Sequence, residues 1–408
     1  MRKASLGTIF LTIFLDLLGF GLVVPYLPGV ARSWGASDLV AALLGAVFSL
    51  AQFVFVPYWG QRSDRIGRRP ILLGSIAASA LGMVMLGSVT SLWMLFVARL
   101  WNGIATSNIA VAQAYIADVT RPEERAKGMG LIGAGIGLGF IFGPVIGGLL
   151  ESVSPLDRVG AMPAYAAAAL SAVNFALAYF YLPESLPPER RGRVVRSASP
   201  FGAERFRAAM AAPGVRTALL VAFVVGVSFA GLEQTFRLYT EDEFGMTGPT
   251  MGYLLGFSGV VMVIVQGLLL RRLAAVATER ALILGGLVIE ATGFALVALA
   301  PDLGGSAVGA LWLSMGVIAL GSALVNPSLS AYVSRSTSGE RQGSVLGALQ
   351  STGAFARVCG PATSGLLYQY ASPRAPYVAA AAGMALAGAF ALRLGKSTRA
   401  PGAGHDGA

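Results

Sequence analysis

Apolar residues run along this chain in long blocks separated by short polar connections. The blocks lie near 7–29, 39–60, 71–89, 94–117, 127–150 and 161–182. After a longer polar stretch they resume near 216–238, 250–270, 281–300, 306–330, 342–368 and 376–394. Each is roughly 20 residues long, the length a helix needs to cross the hydrocarbon of a bilayer. A backbone in lipid must satisfy its own hydrogen bonds, so the blocks predict helices. They lack the alternation of apolar and polar residues that marks membrane-barrel strands. The predicted fold class is therefore all-α, a polytopic membrane protein of twelve transmembrane helices. The first block is not a cleaved signal peptide. Arg2 and Lys3 precede it, but it is too long, contains Asp16 and has no small-x-small cleavage site after it.

The pattern also divides the chain. Residues 1–182 form a first six-helix half, 183–215 a basic, Pro-rich linker, 216–394 a second half and 395–408 a tail. The halves repeat weakly. AYIADVTRPEER, from Ala114 to Arg125, is matched by AYVSRSTSGER, from Ala331 to Arg341; Gly143-Pro144 is matched by Gly360-Pro361. Two pseudo-symmetric halves of this kind place a binding site near the membrane midplane at their interface, an arrangement typical of transporters.

Composition strengthens this picture. The 408 residues are 55% hydrophobic and 12% charged, about half the charge of a soluble domain. One cysteine, Cys359, excludes a disulfide scaffold, and one histidine, His405 in the tail, excludes a histidine-cysteine metal cage and histidine-based catalysis. The net charge of +10 is a matter of topology. Of the 30 Lys and Arg residues, 24 fall in one alternate set of connections, and Arg32, Arg158 and Arg374 in the other. Basic loops stay in the cytoplasm, so both termini and the linker are expected there, in a plasma membrane of the bacterial inner-membrane type. With its basic residues explained this way, the chain is not expected to bind nucleic acid. No phosphate-binding GxxxxGK[ST] loop is present, and the glycine-rich run at 133–143 lies inside a span with no strand before it, so neither ATP nor a dinucleotide is expected.

Charge inside a span is unfavourable by at least about 2.5–3.5 kcal/mol at a helix centre, so each instance needs a reason. The candidates are Asp16, Arg99, Glu233, Arg237, Glu290 and Arg357. Asp16 stands beside the helix-loosening Gly19, Gly21, Pro25 and Pro28; it is either a proton or substrate site or a partner for freed backbone. Arg99 is a site residue or an anchor on carbonyls of span 1. Glu233 and Arg237, four apart, read as an intrahelical ion pair, or Glu233 as a proton carrier or a partner for cationic substrates. Glu290 is a proton carrier or a structural acid bonded to a neighbouring helix. Asn102, Gln113, Gln266, Asn326 and Gln350 are polar candidates for a cavity lining.

Three motifs carry a resemblance. The loop GQRSDRIGRRPILL supplies Gly60, Asp64, Arg65, Gly67, Arg68 and Arg69. Span 4 supplies Arg99 and Gly103, and span 5 supplies Gly130, Gly139, Gly143, Pro144, Gly147 and Gly148. Together they resemble the signatures of the major facilitator superfamily, and the span 5 run is similar to the motif of its antiporters. LDLLGFGLVVPYLPG, YIADVTRPEER and GERQG look like the tetracycline-efflux branch of the twelve-span drug:proton antiporters. Arg62 departs from the signature, and Ser75–Val89 lacks the acid that tetracycline exporters usually carry in span 3. The resemblance implies a non-enzymatic carrier, monomeric in the bilayer, that exports small hydrophobic drugs against protons. The proton gradient would supply the energy, without a cofactor. It implies a role in proton coupling for Arg99, a cavity-lining position for Asp16 in span 1 and the expected span 9 acid at Glu290, beside the residue-based candidates Glu233 and Arg237. It also implies a gating loop in which Asp64 meets span-end charges such as Asp118 and Arg125, and a kink at Gly143-Pro144 that favours exchange. A proton-coupled carrier of a small metabolite such as a sugar or a small anion is the alternative, and the scarcity of intramembrane positive charge beyond Arg99, Arg237 and Arg357 argues against anions; a membrane receptor or enzyme is a remoter one.

Overall fold

The computed structural model describes residues 6–120, 125–154, 160–192, 210, 214–336 and 342–395, with side chains at all of these except 6, 125–132, 136, 190 and 342–344. The described residues are almost entirely helical and include no strand. Helix α1 runs Leu6–Val23, tightens through a 3-10 turn at Val24–Tyr26 and resumes at Leu27–Ser33. That turn absorbs Pro25, and Pro28 falls in the first turn of the resumed helix, where a missing N–H is harmless. Then follow α2 (Asp38–Ile66), α3 (Arg68–Gly87), α4 (Leu92–Ala105 and Ile109–Val119), α5 (Arg125–Ser152) and α6 (Ala161–Tyr181). The second set is α7 (Val215–Phe244), α8 (Gly248–Ile264, a π turn at Val265–Leu269, then Leu270–Val276), α9 (Glu279–Leu299), α10 (Ala307–Arg335), α11 (Gln342–Tyr370) and α12 (Ala375–Ala391).

Eight stretches are long and apolar enough to cross a membrane; the one at Glu279–Arg335 holds both α9 and α10. Three helices fall outside that set: α4 because it breaks at 106–108, α12 because it has 17 residues, and α11 because polar residues such as Gln350, Arg357 and Gln369 lower its hydropathy. The break in α4 follows from its sequence. Thr106 and Ser107 donate their hydroxyls back to the carbonyls of Asn102 and Gly103, which competes with the helical ladder.

Packing repeats between the halves. In the first, α1 packs on α5 and α6, α2 on α4, and α3 on α4 and α6. In the second, α7 packs on α11 and α12, α8 on α10, and α9 on α10 and α12. The contacts between halves are themselves exchanged by this symmetry: α5 lies on α8, and α2 on α11.

Glycine makes the central contacts possible, because in lipid helices associate through close packing and not through water exclusion. Helix α5 is apposed on two sides. Gly139, Gly143 and Gly147, four residues apart, face α1. A Cβ on Gly143 would lie 2.6 Å from the Cα of Gly21, and one on Gly147 would strike the Leu22 carbonyl. On the other side Gly148 meets the Gly248 carbonyl, Gly252 the Pro144 carbonyl, and Gly259 the Ile141 side chain. The second half repeats the arrangement: Gly360 lies against Val227 and Gly231 of α7, and Gly365 against Leu39 and Ala42 of α2.

Overpacking a closed contact costs about 1–3 kcal/mol. Gly143→Val is therefore expected to lower the melting temperature of the detergent-purified protein by several degrees. Gly347→Ala, where a Cβ meets open space, should leave it unchanged or slightly raised.

Candidate functional site

A cavity of about 290 Å³ lies between the halves at mid-height, close to the lower size limit of known ligand pockets. Helices α1, α2, α4, α7 and α11 all line it, and Ile76 and Leu72 of α3 and Ala112 of α4 carry the lining towards the end of the molecule that bears the basic loops. Its walls are mainly apolar, with Ile13, Phe20, Phe48 and Phe140 among them. Its charged side chains are Asp16, Arg99, Glu233 and Arg357. Glu233 stands within electrostatic reach of both Arg99 and Arg357, so one carboxylate serves two guanidinium groups, one from each half. Arg99 is 2% exposed, lies over the Phe48 ring at 4.2 Å from its centroid and donates weakly to the Leu44 carbonyl at 3.4 Å. Asp16 faces the amide of Asn108, which the break in α4 presents; that amide also donates to Ser75 at 2.7 Å.

The end opposite the basic loops is closed across the halves by charge. Arg32 at the end of α1 donates to both oxygens of Asp242 on α7, at 2.7 and 2.8 Å, and also pairs with Asp38 at 2.5 Å. Tyr368 of α11 donates to Asp242 at 2.6 Å, and Gln369 accepts from the Leu39 backbone at 3.0 Å. Deeper in the same region Arg237 reaches Glu151 of α5 at 3.6 Å and Glu241 at 3.0 Å.

This corrects one expectation. Glu233 and Arg237 do not form an ion pair: Glu233 turns into the cavity, whereas Arg237 belongs to the closed end. The sequence marks Arg32 as a rare basic residue in its set of connections but gives no sign of its partners Asp38, Asp242 and Tyr368.

At the basic end the motif residues form a compact network within the first half. Arg68 pairs with Asp64 at 2.5 Å and Asp118 at 3.2 Å, so the two acids meet on Arg68 and not on each other. Gly67 has φ +113° and leaves no room for a Cβ, because Glu184 crowds it. Glu184, from the start of the linker, accepts from the backbone N–H groups of Arg68 at 2.9 Å and Arg69 at 3.3 Å, and so caps α3. Arg69 donates to the carbonyls of Leu182 and Tyr179 at 2.7 and 2.6 Å. Arg65 is exposed, Gly60 approaches Ala110, and the side chain of Arg125 lies outside the described residues.

The remaining candidates stand apart from the cavity. Glu290 is 1% exposed, accepts from Ser322 of α10 and packs on Gly321, with its second oxygen unpartnered among the described residues. Asn102 is wedged against Gly82 of α3. Gln113 does not line the cavity; Gln266, Asn326 and Gln350 are exposed and do not line it either. Gly139, Gly143, Pro144, Gly147 and Gly148 form the α5 contacts described above.

Comparison with known proteins agrees with this architecture. The profile of the Major Facilitator Superfamily matches residues 9–317 and again 278–407. The chain belongs to the major facilitator superfamily. Curated relatives of this superfamily member include the class C tetracycline resistance protein of Escherichia coli, 32% identical over 86% of each chain. Another is major facilitator superfamily domain-containing protein 10 of Bos taurus, 31% identical over 92% of this chain and 90% of that one. The crystal structure of the human organic anion transporter MFSD10 superposes with a TM-score of 0.71 at 27% identity, covering 95% of this chain and 98% of that one. The superfamily member described here is accordingly a multi-pass membrane transporter, a carrier and not an enzyme.

The Arg32–Asp242 pair links the halves at the closed end, and its bidentate geometry is what lets a partly exposed ion pair contribute. Asp242→Asn should open that end more often. In a Cys359→Ser background, a cysteine at Leu39 should react with a bulky polar thiol reagent about tenfold faster when Asp242→Asn is added. An unchanged rate would show that the pair does not hold this end shut.

Proposed function

We propose that this transporter exports small hydrophobic drugs in exchange for protons, with its basic end in the cytoplasm of a bacterial-type cell. The observation that carries this reading is the mid-height cavity. It holds two carboxylates, Asp16 and Glu233, with arginines from both halves, and it is walled by aromatic and aliphatic side chains. The likeness to tetracycline resistance proteins supports the same assignment. Placement of the basic loops supports the orientation, because cytoplasmic loops collect Lys and Arg. In that orientation the conformation described here is closed towards the outside, and the cavity lining leads towards the cytoplasm, where substrate would load.

Alternating access follows from the paired halves. The six-helix units 1–182 and 216–394 rock about the cavity, tethered by the linker 183–215. Opening the outer end requires parting Arg32 from Asp242 and Arg237 from Glu151. Closing the inner end brings the Asp64, Arg68 and Asp118 network towards the second half. Asp16 and Glu233 exchange a proton with whichever side is open. Substrate and proton each bias the two states by their difference in affinity for them. One proton moving through 100 mV contributes about 2.3 kcal/mol, enough to drive accumulation without a cofactor. Glu290, locked against Ser322, holds α9 to α10 on this reading. The chain acts as a monomer in the lipid bilayer, since each chain contributes both halves of one cavity.

Everted membrane vesicles containing the protein provide the test. Under an imposed pH gradient, drug uptake into the vesicles should be accompanied by proton release for at least one member of a panel that includes tetracycline. Asp16→Asn is expected to reduce that coupled flux at least about tenfold, and Glu290→Gln to leave it within about twofold. Absence of gradient-dependent flux across the panel would overturn the proposal.

A further inference from the structure

The charged groups of the cavity are unequally satisfied. Asp16 has the Asn108 amide, and Arg99 has the Phe48 ring and the Leu44 carbonyl. Arg357 of α11 has neither hydrogen bond nor ion pair among the described residues, although it lines the cavity and is exposed to it. Glu233 likewise accepts no hydrogen bond, and it lies within electrostatic reach of Arg357 and Arg99 without an ion-pair contact to either. Open to the cavity and without a protein acceptor among the described residues, its five N–H donors are available to a ligand. The fork of donors matches a planar, delocalised anion such as a carboxylate, sulfonate or enolate.

We infer that the substrate is an amphiphilic anion: its charged group docks on Arg357, facing Arg99 from the other half, and its aromatic or aliphatic body lies against Phe20, Phe48 and Phe140. Glu233 is the built-in competitor for the same two arginines, and it sets how strongly they hold the anion. This inference rests on the reading of the cavity as the substrate site and adds the charge class of what enters it.

Direct binding separates the two ideas. The purified full-length protein in detergent would be titrated calorimetrically with three probes of one shape: 2-naphthoate, 2-naphthalenemethanol and 2-naphthylmethylammonium. Naphthoate should bind about tenfold or more tighter than the alcohol, and the ammonium weakest, as expected for a charge-assisted contact. Arg357→Gln should bring naphthoate to the level of the alcohol while leaving alcohol binding intact. Arg357→Lys, which keeps the charge but loses the fork, should restore only part of the preference. Glu233→Gln should strengthen naphthoate binding several-fold. Equal binding of all three probes, or a preference for the ammonium that Glu233→Gln removes, would overturn the charge assignment and leave the cavity as a substrate site. Failure of all three to bind would overturn both.

Discussion

The closeness of α5 to its two neighbours is the constraint on which this architecture depends. Backbones that touch at Gly143 and Gly21, and again at Gly148 and Gly248, leave no space for a side chain between them. Such contacts gain dispersion energy over their whole length but do not tolerate gradual separation, because the potential falls steeply with distance. The α5–α8 contact crosses the interface between the halves, and its symmetry mate α2–α11 does the same on the other side. Both therefore act as surfaces on which one half bears against the other. At the closed end the Arg32–Asp242 pair, partly open to solvent, adds an ion pair between the halves.

Few charges enter the spans, and they sort by task. Arg32 and Arg237 are matched with acids on the opposite half or the same helix, so they hold the closed end together. Glu290 is matched with a neighbouring hydroxyl and belongs to the α9–α10 contact. Among the described residues of the cavity, Arg357 has no directly bonded partner and Arg99 has only a long bond to a carbonyl. Buried ion pairs contribute little net stability once desolvation is counted, whereas a lone buried charge is strongly unfavourable. The cavity group is therefore the part of the transporter where stability has been forgone for binding.

Much of this was legible in the sequence because lipid imposes one rule on every span. Twelve apolar blocks became twelve helical rods among the described residues, and the motif glycines fell at the contacts that need them. Details set by tertiary contact were less visible. The apolar block at 94–117 showed no interruption, yet the hydroxyls of Thr106 and Ser107 break α4 and turn Asn108 towards Asp16. The four-residue spacing of Glu233 and Arg237 suggested a local pair. Helix α5 instead offers Glu151 to Arg237, a partner far away in the chain. No periodicity could link Arg32 to Asp242 across 210 residues. Polar residues such as Asn102 and Gln266 could not be sorted by composition, since the face of a helix depends on which neighbours surround it.

The cap that Glu184 places on α3 has a consequence for how the chain divides. The N-terminus of α3 carries backbone N–H groups that only a residue beyond α6 satisfies, and Gly192 adds a further bond to the Asp64 carbonyl at 3.2 Å. The first half thus closes on itself by a clasp drawn from the connector. A polypeptide cut directly after α6 would lack its own clasp, whereas one ending past Gly192 would carry it. Any evolutionary fusion of two six-helix ancestors would have had to preserve residues 182–192 with the first partner.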